Sequence, residues 1–184
     1  MYLKKFLLTV KVLLVLTTNV LAQLSSDECI QNLSIFAESA KVKNYEAAYE
    51  PWMKVRNECP SINLAIYSYG ERILKFKYQN SSGDEKLSYA NDILKLYDQW
   101  LEYFPTKKNT KVIGDIISSK AQAMIDYKIG DKMLIYKTFD KAFTTDPQSF
   151  SNPKGLYNYF KTLYDLYKER ENQVTMETLF DKYE

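Results

Sequence analysis

The chain has 184 residues, 46% hydrophobic and 26% charged, with only five Gly and five Pro. That balance excludes a disordered chain and an all-β fold built on frequent turns. The 25 basic and 23 acidic side chains give a formal +2; without Lys4, Lys5 and Lys11, which belong to a leader-like start, 22 basic face 23 acidic residues. Charges of both signs then mix along every segment, so nucleic acid finds no basic face to bind.

Residues 1–22 read as a signal peptide. Lys4 and Lys5 open it, Val12 to Leu16 and the following TTNVLA form a short apolar core, and Val20-Leu21-Ala22 offers a small-residue cleavage site before Gln23. Lys11 interrupts the apolar run, leaving it well short of the ~20 residues that span a bilayer. The first cysteine, Cys29, lies too far past the cleavage site for a lipoprotein anchor. The expected location is therefore exported: periplasmic, envelope-associated or secreted, with no membrane span after the leader is removed. Residues 23–184 form the domain.

An oxidising compartment favours pairing of the two cysteines, Cys29 and Cys59. They fall at the start of a first predicted helix and the end of a second, the two ends that antiparallel neighbours bring together. Closing that loop is worth about 3–4 kcal/mol in the chain-entropy model. The chain has no histidine and no CxxC, so a structural bridge is favoured over a metal or catalytic role.

The helical pattern begins at Ser25, which with Glu28 makes a capping box. Ile30, Leu33, Phe36, Ala37 and Ala40 mark one face of a helix over about 26–42, and Asn44 is the expected left-handed residue after it. Tyr45, Ala48, Trp52 and Val55 line a second helix that stops at Cys59-Pro60, with a kink expected at Pro51. A second hairpin opens at Ser61 and runs through Ile66, Tyr67, Tyr69, Gly70, Ile73 and Leu74. Gly70 in mid-helix implies a neighbour packed close against it. Ser82-Gly83-Asp84-Glu85 offers another capping box, followed by the stripe Leu87, Ala90, Leu94, Tyr97, Leu101 and Phe104 up to Pro105.

After a loop at Thr106–Asn109, Val112, Ile113, Ile116, Ile117, Ala121, Met124 and Ile125 line the next helix. Gly130 ends it and Asp131 caps its partner, which carries Ile135, Phe139 and Ala142 and closes at Pro147. Asn152-Pro153 starts a further helix with Leu156, Tyr159, Phe160, Leu163 and Tyr167 on its apolar side. Leu179, Phe180 and Tyr183 belong to a last pattern that looks unfinished, as though the domain were truncated at its C-terminus.

The order Tyr, small residue, aromatic, small residue and closing Pro around Tyr45–Pro60, the Tyr69-Gly70 pair, and Ala142-Phe143 before Asp146-Pro147 resemble tetratricopeptide (TPR) repeats. Closing prolines at 60, 105 and 147 lie 45 and 42 residues apart, against the ~34 of the family, so the repeats are lengthened. The stretches NLSIFAESAKVKNYEAAYEPW, AIYSYGERILK and NPKGLYNYF are similar to exported TPR-like proteins of Bacteroidota. The resemblance implies an all-α, right-handed array of antiparallel helical hairpins (a TPR-like solenoid of roughly three and a half repeats), acting as a protein-binding scaffold.

Without histidine the Ser-His and Cys-His nucleophile arrangements are absent, and no Gly-rich phosphate loop or GxSxG is present. The expectation is no enzyme, no cofactor and no metal, with a protein or peptide partner. In a TPR array the first helix of each hairpin lines the inner groove, and Lys41, Lys75 and Lys128 fall near the ends of successive first helices, where they could hold an acidic peptide or a free carboxylate. Their ordinary role there is to complement the helix dipole. The competing class is a structural, self-associating component of the cell envelope.

Overall fold

In the computed structural model, which describes residues 25–105, 113–170 and 174–183, helix is the one kind of regular element among the described residues. The leader, the Thr106–Asn109 loop and Val112 lie outside them. The helices are α1 (Ser26–Lys41), α2 (Tyr45–Glu58), α3 (Ala65–Gln79), α4 (Gly83–Tyr103), α5 (Ile113–Tyr127), α6 (Lys132–Thr145), α7 (Pro153–Lys168) and the short α8 (Met176–Tyr183).

Polar side chains set most of the boundaries. The Ser25 hydroxyl accepts from the Glu28 N–H at 3.2 Å while the Glu28 carboxylate accepts from the Ser25 N–H at 2.8 Å, a closed capping box. Asp131 caps α6 by accepting from the Leu134 N–H at 2.7 Å, just after Gly130 at φ 83°. Asn152 accepts from the Lys154 and Gly155 N–H groups at 2.9 and 3.2 Å, with Pro153 behind it.

Three boundaries differ from the pattern. Lys43 (φ 61°), not Asn44, takes the left-handed turn after α1. Asn44 is instead the N-cap of α2, accepting from the Ala47 N–H at 3.3 Å, since an amide oxygen there satisfies an N–H that lysine cannot. The third helix begins at Ala65 rather than near Ser61, and Asn63 receives the Ala65 N–H at 2.8 Å. The capping box at Ser82 does not form: Gly83 enters α4 at φ 55°, and Glu85 accepts from the Tyr89 hydroxyl at 3.3 Å.

Each helix packs on its sequence neighbours, and in addition α1 touches α3 and α5 touches α7. Among the described residues no contact joins the first hairpin to the last. The packing is sequential, and the buried residues form two clusters along it. The larger unites Phe36, Trp52, Tyr67, Ile73, Leu96 and Trp100; the smaller unites Ile117, Ala121, Phe139, Phe150 and Tyr159. Helix α5 serves both, with Ile116 and Ala123 in the first and Ile117 and Ala121 in the second. A large side chain buried in this way contributes about 1.5–3 kcal/mol.

Tyrosines fill these seams: Tyr67 and Tyr97 are fully enclosed, and Tyr78 meets Tyr127 across α3 and α5 with ring centroids 4.4 Å apart. The Cys29 and Cys59 Cα atoms lie 6.3 Å apart and the two residues are paired, tying the start of α1 to the end of α2.

Several apolar residues face the other way from their predicted side. Ile30, Leu87, Leu156 and Phe160 are exposed. Helix α4 buries Ile93, Leu96 and Trp100 beside Ala90 and Tyr97, because it lies between α3 and α5 and covers a wider arc than one stripe. Leu166 joins Leu163 inside α7, and Leu179 of α8 is buried rather than left open. No described helix is long and apolar enough to cross a membrane.

Candidate binding surfaces

Two concavities follow from the sequential packing, one on each side of α5. The smaller is a cleft of about 100 Å³ where α3, α5 and the start of α7 converge. Its wall carries Glu71 and Lys75 from α3, Gln122 and Asp126 from α5, and Asn152 and Lys154 before and within α7. Glu71 accepts from Lys75 and from the Tyr97 hydroxyl, both at 2.8 Å. Burial first, and the neighbouring Glu71 carboxylate second, push the Tyr97 phenol far above its ordinary value, so it stays a hydrogen-bond donor. Asn158 donates to Gln122 at 2.6 Å and Lys154 reaches Asp126 at 3.4 Å, closing the seam between α5 and α7. The cleft is polar, internally paired and too small for more than one end group or side chain.

The larger concavity is a groove of about 770 Å³ between α4 and α6, floored by α5 and bounded at one end by α2. Apolar contacts come from Met53, Leu94, Met124, Ile129 and Leu134, the last half exposed. Two charged pairs and the exposed Lys95 stand at its rim. Lys120 bonds both Asp98 oxygens at 2.6 and 2.8 Å. Asp92 accepts from the buried Arg56 at 2.8 Å, and Arg56 also donates to Gln99 at 2.7 Å and lies over the Trp52 ring at 5.1 Å. At the α2 end, Lys77 sits 4.9 Å above Tyr49 and 5.9 Å above Tyr89. Burial, followed by the neighbouring Tyr89, pushes the Tyr49 phenol up to about 12. A volume in this range, with an apolar floor and a fixed polar rim, accommodates side chains from a partner segment.

The three lysines singled out by spacing go to different places. Lys75 lines the polar cleft, one turn before the end of α3. Lys41 is exposed at the end of α1 and bonds Glu38 at 2.6 Å. Lys128 follows α5 in a left-handed conformation, φ 57°, and neither it nor Lys41 lines the cleft. The lysine that shares the cleft with Lys75 is Lys154, which spacing missed because it stands at the beginning of its helix, not the end. The groove was missed for a different reason: its residues come from four elements, and which faces of α4 and α6 stay apart is a matter of packing. Among the described residues no group of three His, Cys, Asp or Glu is placed to hold a metal ion.

Set against family models, curated proteins and solved structures, the chain finds no match in any of the three.

Proposed function

We propose that this chain is an exported protein-interaction scaffold without catalysis of its own, a right-handed TPR-like solenoid whose α4–α6 groove receives a segment of a protein partner. The observation that carries the reading is the groove itself, about 770 Å³ with an apolar floor and the Lys120–Asp98 and Arg56–Asp92 pairs beside it. A partner that covers Met53, Leu94 and Leu134 gains apolar burial. Sequential packing supports the repeat reading, since each hairpin leans on the next instead of closing a bundle. The leader-like start and the paired cysteines support export.

The test is a crosslinking capture from the protein's own envelope fraction, followed by titration of the identified and purified partner. Three forms are compared: the natural protein, Leu134→Lys, and Lys41→Glu with Lys75→Glu. The groove reading expects Leu134→Lys to weaken binding at least about tenfold and the lysine pair to leave it unchanged. Loss with the lysine pair alone moves the site to the first-helix side. Equal affinity of all three forms rejects both surfaces.

A further inference from the structure

The exposed faces of α7 and α1 differ in charge. On α7 the residues turned away from the core form a face of one kind. Lys154, Lys161 and Lys168 recur every seven residues, with Tyr157 and Tyr164 between them at the same interval, and all five are exposed. Leu156 and Phe160 extend this face on its apolar side. The adjoining carboxylates are few: Asp165 bonds Lys161 and Asp126 bonds Lys154, while Lys168 lies 5.6 Å over the Tyr164 ring. A face of aromatic rings bordered by lysines is built to meet apolar surface and negative charge together.

The outward face of α1 has the matching character. Asp27 and Glu38 are exposed there with Ile35, against a single lysine of that helix, Lys41, which is held by Glu38. Asp27 and Glu38 stand three turns apart on one side of the helix. One first helix stacks on the next at two places in this chain, α1 on α3 and α5 on α7. The α5–α7 seam even uses the same pairing, a carboxylate of the earlier helix (Asp126) with a lysine of α7 (Lys154).

We propose that copies of this chain associate head to tail, the α7 face of one seated on the α1 face of the next. The contact is heterologous, so it extends into a chain of copies or closes into a ring rather than stopping at a symmetric pair. It rests on the sequential stacking that also underlies the scaffold reading, but not on the α4–α6 groove, so each can fail without the other.

Sedimentation velocity over a range of protein and salt concentration tests it, with the protein expressed from its full chain. The natural protein is expected to grow in mass with concentration and to shrink with added salt. Lys161→Glu with Lys168→Glu, and separately Asp27→Lys with Glu38→Lys, should each weaken association at least about tenfold, and mixing the two variants should restore it. Circular dichroism confirms that each variant keeps its helices; if the α1 variant loses them, Tyr157→Ser with Tyr164→Ser takes its place, and association must again weaken. A monomer at every concentration overturns the proposal. So does a dimer that grows no further, association indifferent to the reversals, or flotation on phosphatidylglycerol-containing vesicles through α7 without self-association.

Discussion

The indole of Trp52 occupies the space that a side chain at position 70 would need. A Cβ built on Gly70 falls 2.7 Å from Trp52 Cζ2 and 2.8 Å from Nε1. The ring cannot swing away, because Trp52 is fully buried and its Nε1 donates to the Ile66 carbonyl at 2.7 Å. Two forces therefore oppose each other in Gly70→Ala. Helix propensity favours alanine by about 1 kcal/mol, while forcing a methyl group into a packed seam costs about 1–3 kcal/mol. With the indole pinned, the steric term wins. Net destabilisation of up to about 2 kcal/mol is expected in urea unfolding. A more stable variant would show that α2 and α3 can part without loss.

The paired cysteines staple only the first hairpin. Cys29 is buried and its partner closes a sequence separation of 30 residues. Replacing both with serine should lower unfolding free energy by about 3–4 kcal/mol in the chain-entropy model, with a cooperative transition retained, because the larger cluster, against which Cys59 packs, is built mostly from residues outside the bridge. Alkylation followed by mass spectrometry, with and without reductant, checks the pairing directly. Reactive thiols in the protein isolated without reductant would contradict it.

Helix positions and most of the buried faces were legible in the sequence: Phe36, Ala48, Trp52, Ile66, Tyr67, Ile73, Leu74 and Phe139 are buried as their spacing predicts. Ser25, Asp131 and Asn152 act within one turn of their own helix, so their roles are local and a single sequence displays them. The exposed Leu87 and the buried Trp100 show where that stops. Leu87 lies on the expected stripe and Trp100 off it, and only the placement of α3 and α5 decides that Ile93, Leu96 and Trp100 go inward. Glycine was informative where it marked close approach, as at Gly70. The binding surfaces were least legible of all. Lys75 and Lys154 lie far apart in sequence and meet only because α7 stacks on α5 beside α3.

Alkaline pH should loosen the fold through its tyrosines. Burial raises the phenols of Tyr49 and Tyr127 to about 12, and it also raises those of Tyr67, Tyr97 and Tyr159 above their ordinary value near 10. Above pH 10 the unfolded chain gives up these protons while the folded chain keeps them. The unfolded state then binds fewer protons, so stability falls as pH rises. The contribution is fully present below pH 10 and is lost progressively above it, through about pH 12 for Tyr49 and Tyr127 and at still higher pH for the other three. Tyrosinate absorbance should lag that of free tyrosine and then rise together with the loss of helix. Titration of all sixteen tyrosines near 10 with helices intact would contradict the burial argument.

The Arg56–Asp92 pair joins α2 to α4 beneath the groove, and its two halves should not be equivalent. Arg56 is 4% exposed, whereas the Asp92 side chain keeps 25% of its surface. Asp92→Ala leaves a nearly enclosed guanidinium with one amide, Gln99, and the face of Trp52 for company. Breaking a buried pair in this way costs about 3–5 kcal/mol, and the partial exposure of Asp92 places the expected loss near the lower end. Arg56→Met removes the buried charge instead and leaves a carboxylate that water still reaches, so its cost should be smaller. In Arg56→Met with Asp92→Ala, much of the Asp92→Ala penalty should vanish, which a double-mutant cycle reads as a coupling of roughly 1–3 kcal/mol. Additive losses would mean that the guanidinium is held by Gln99 and Trp52 alone.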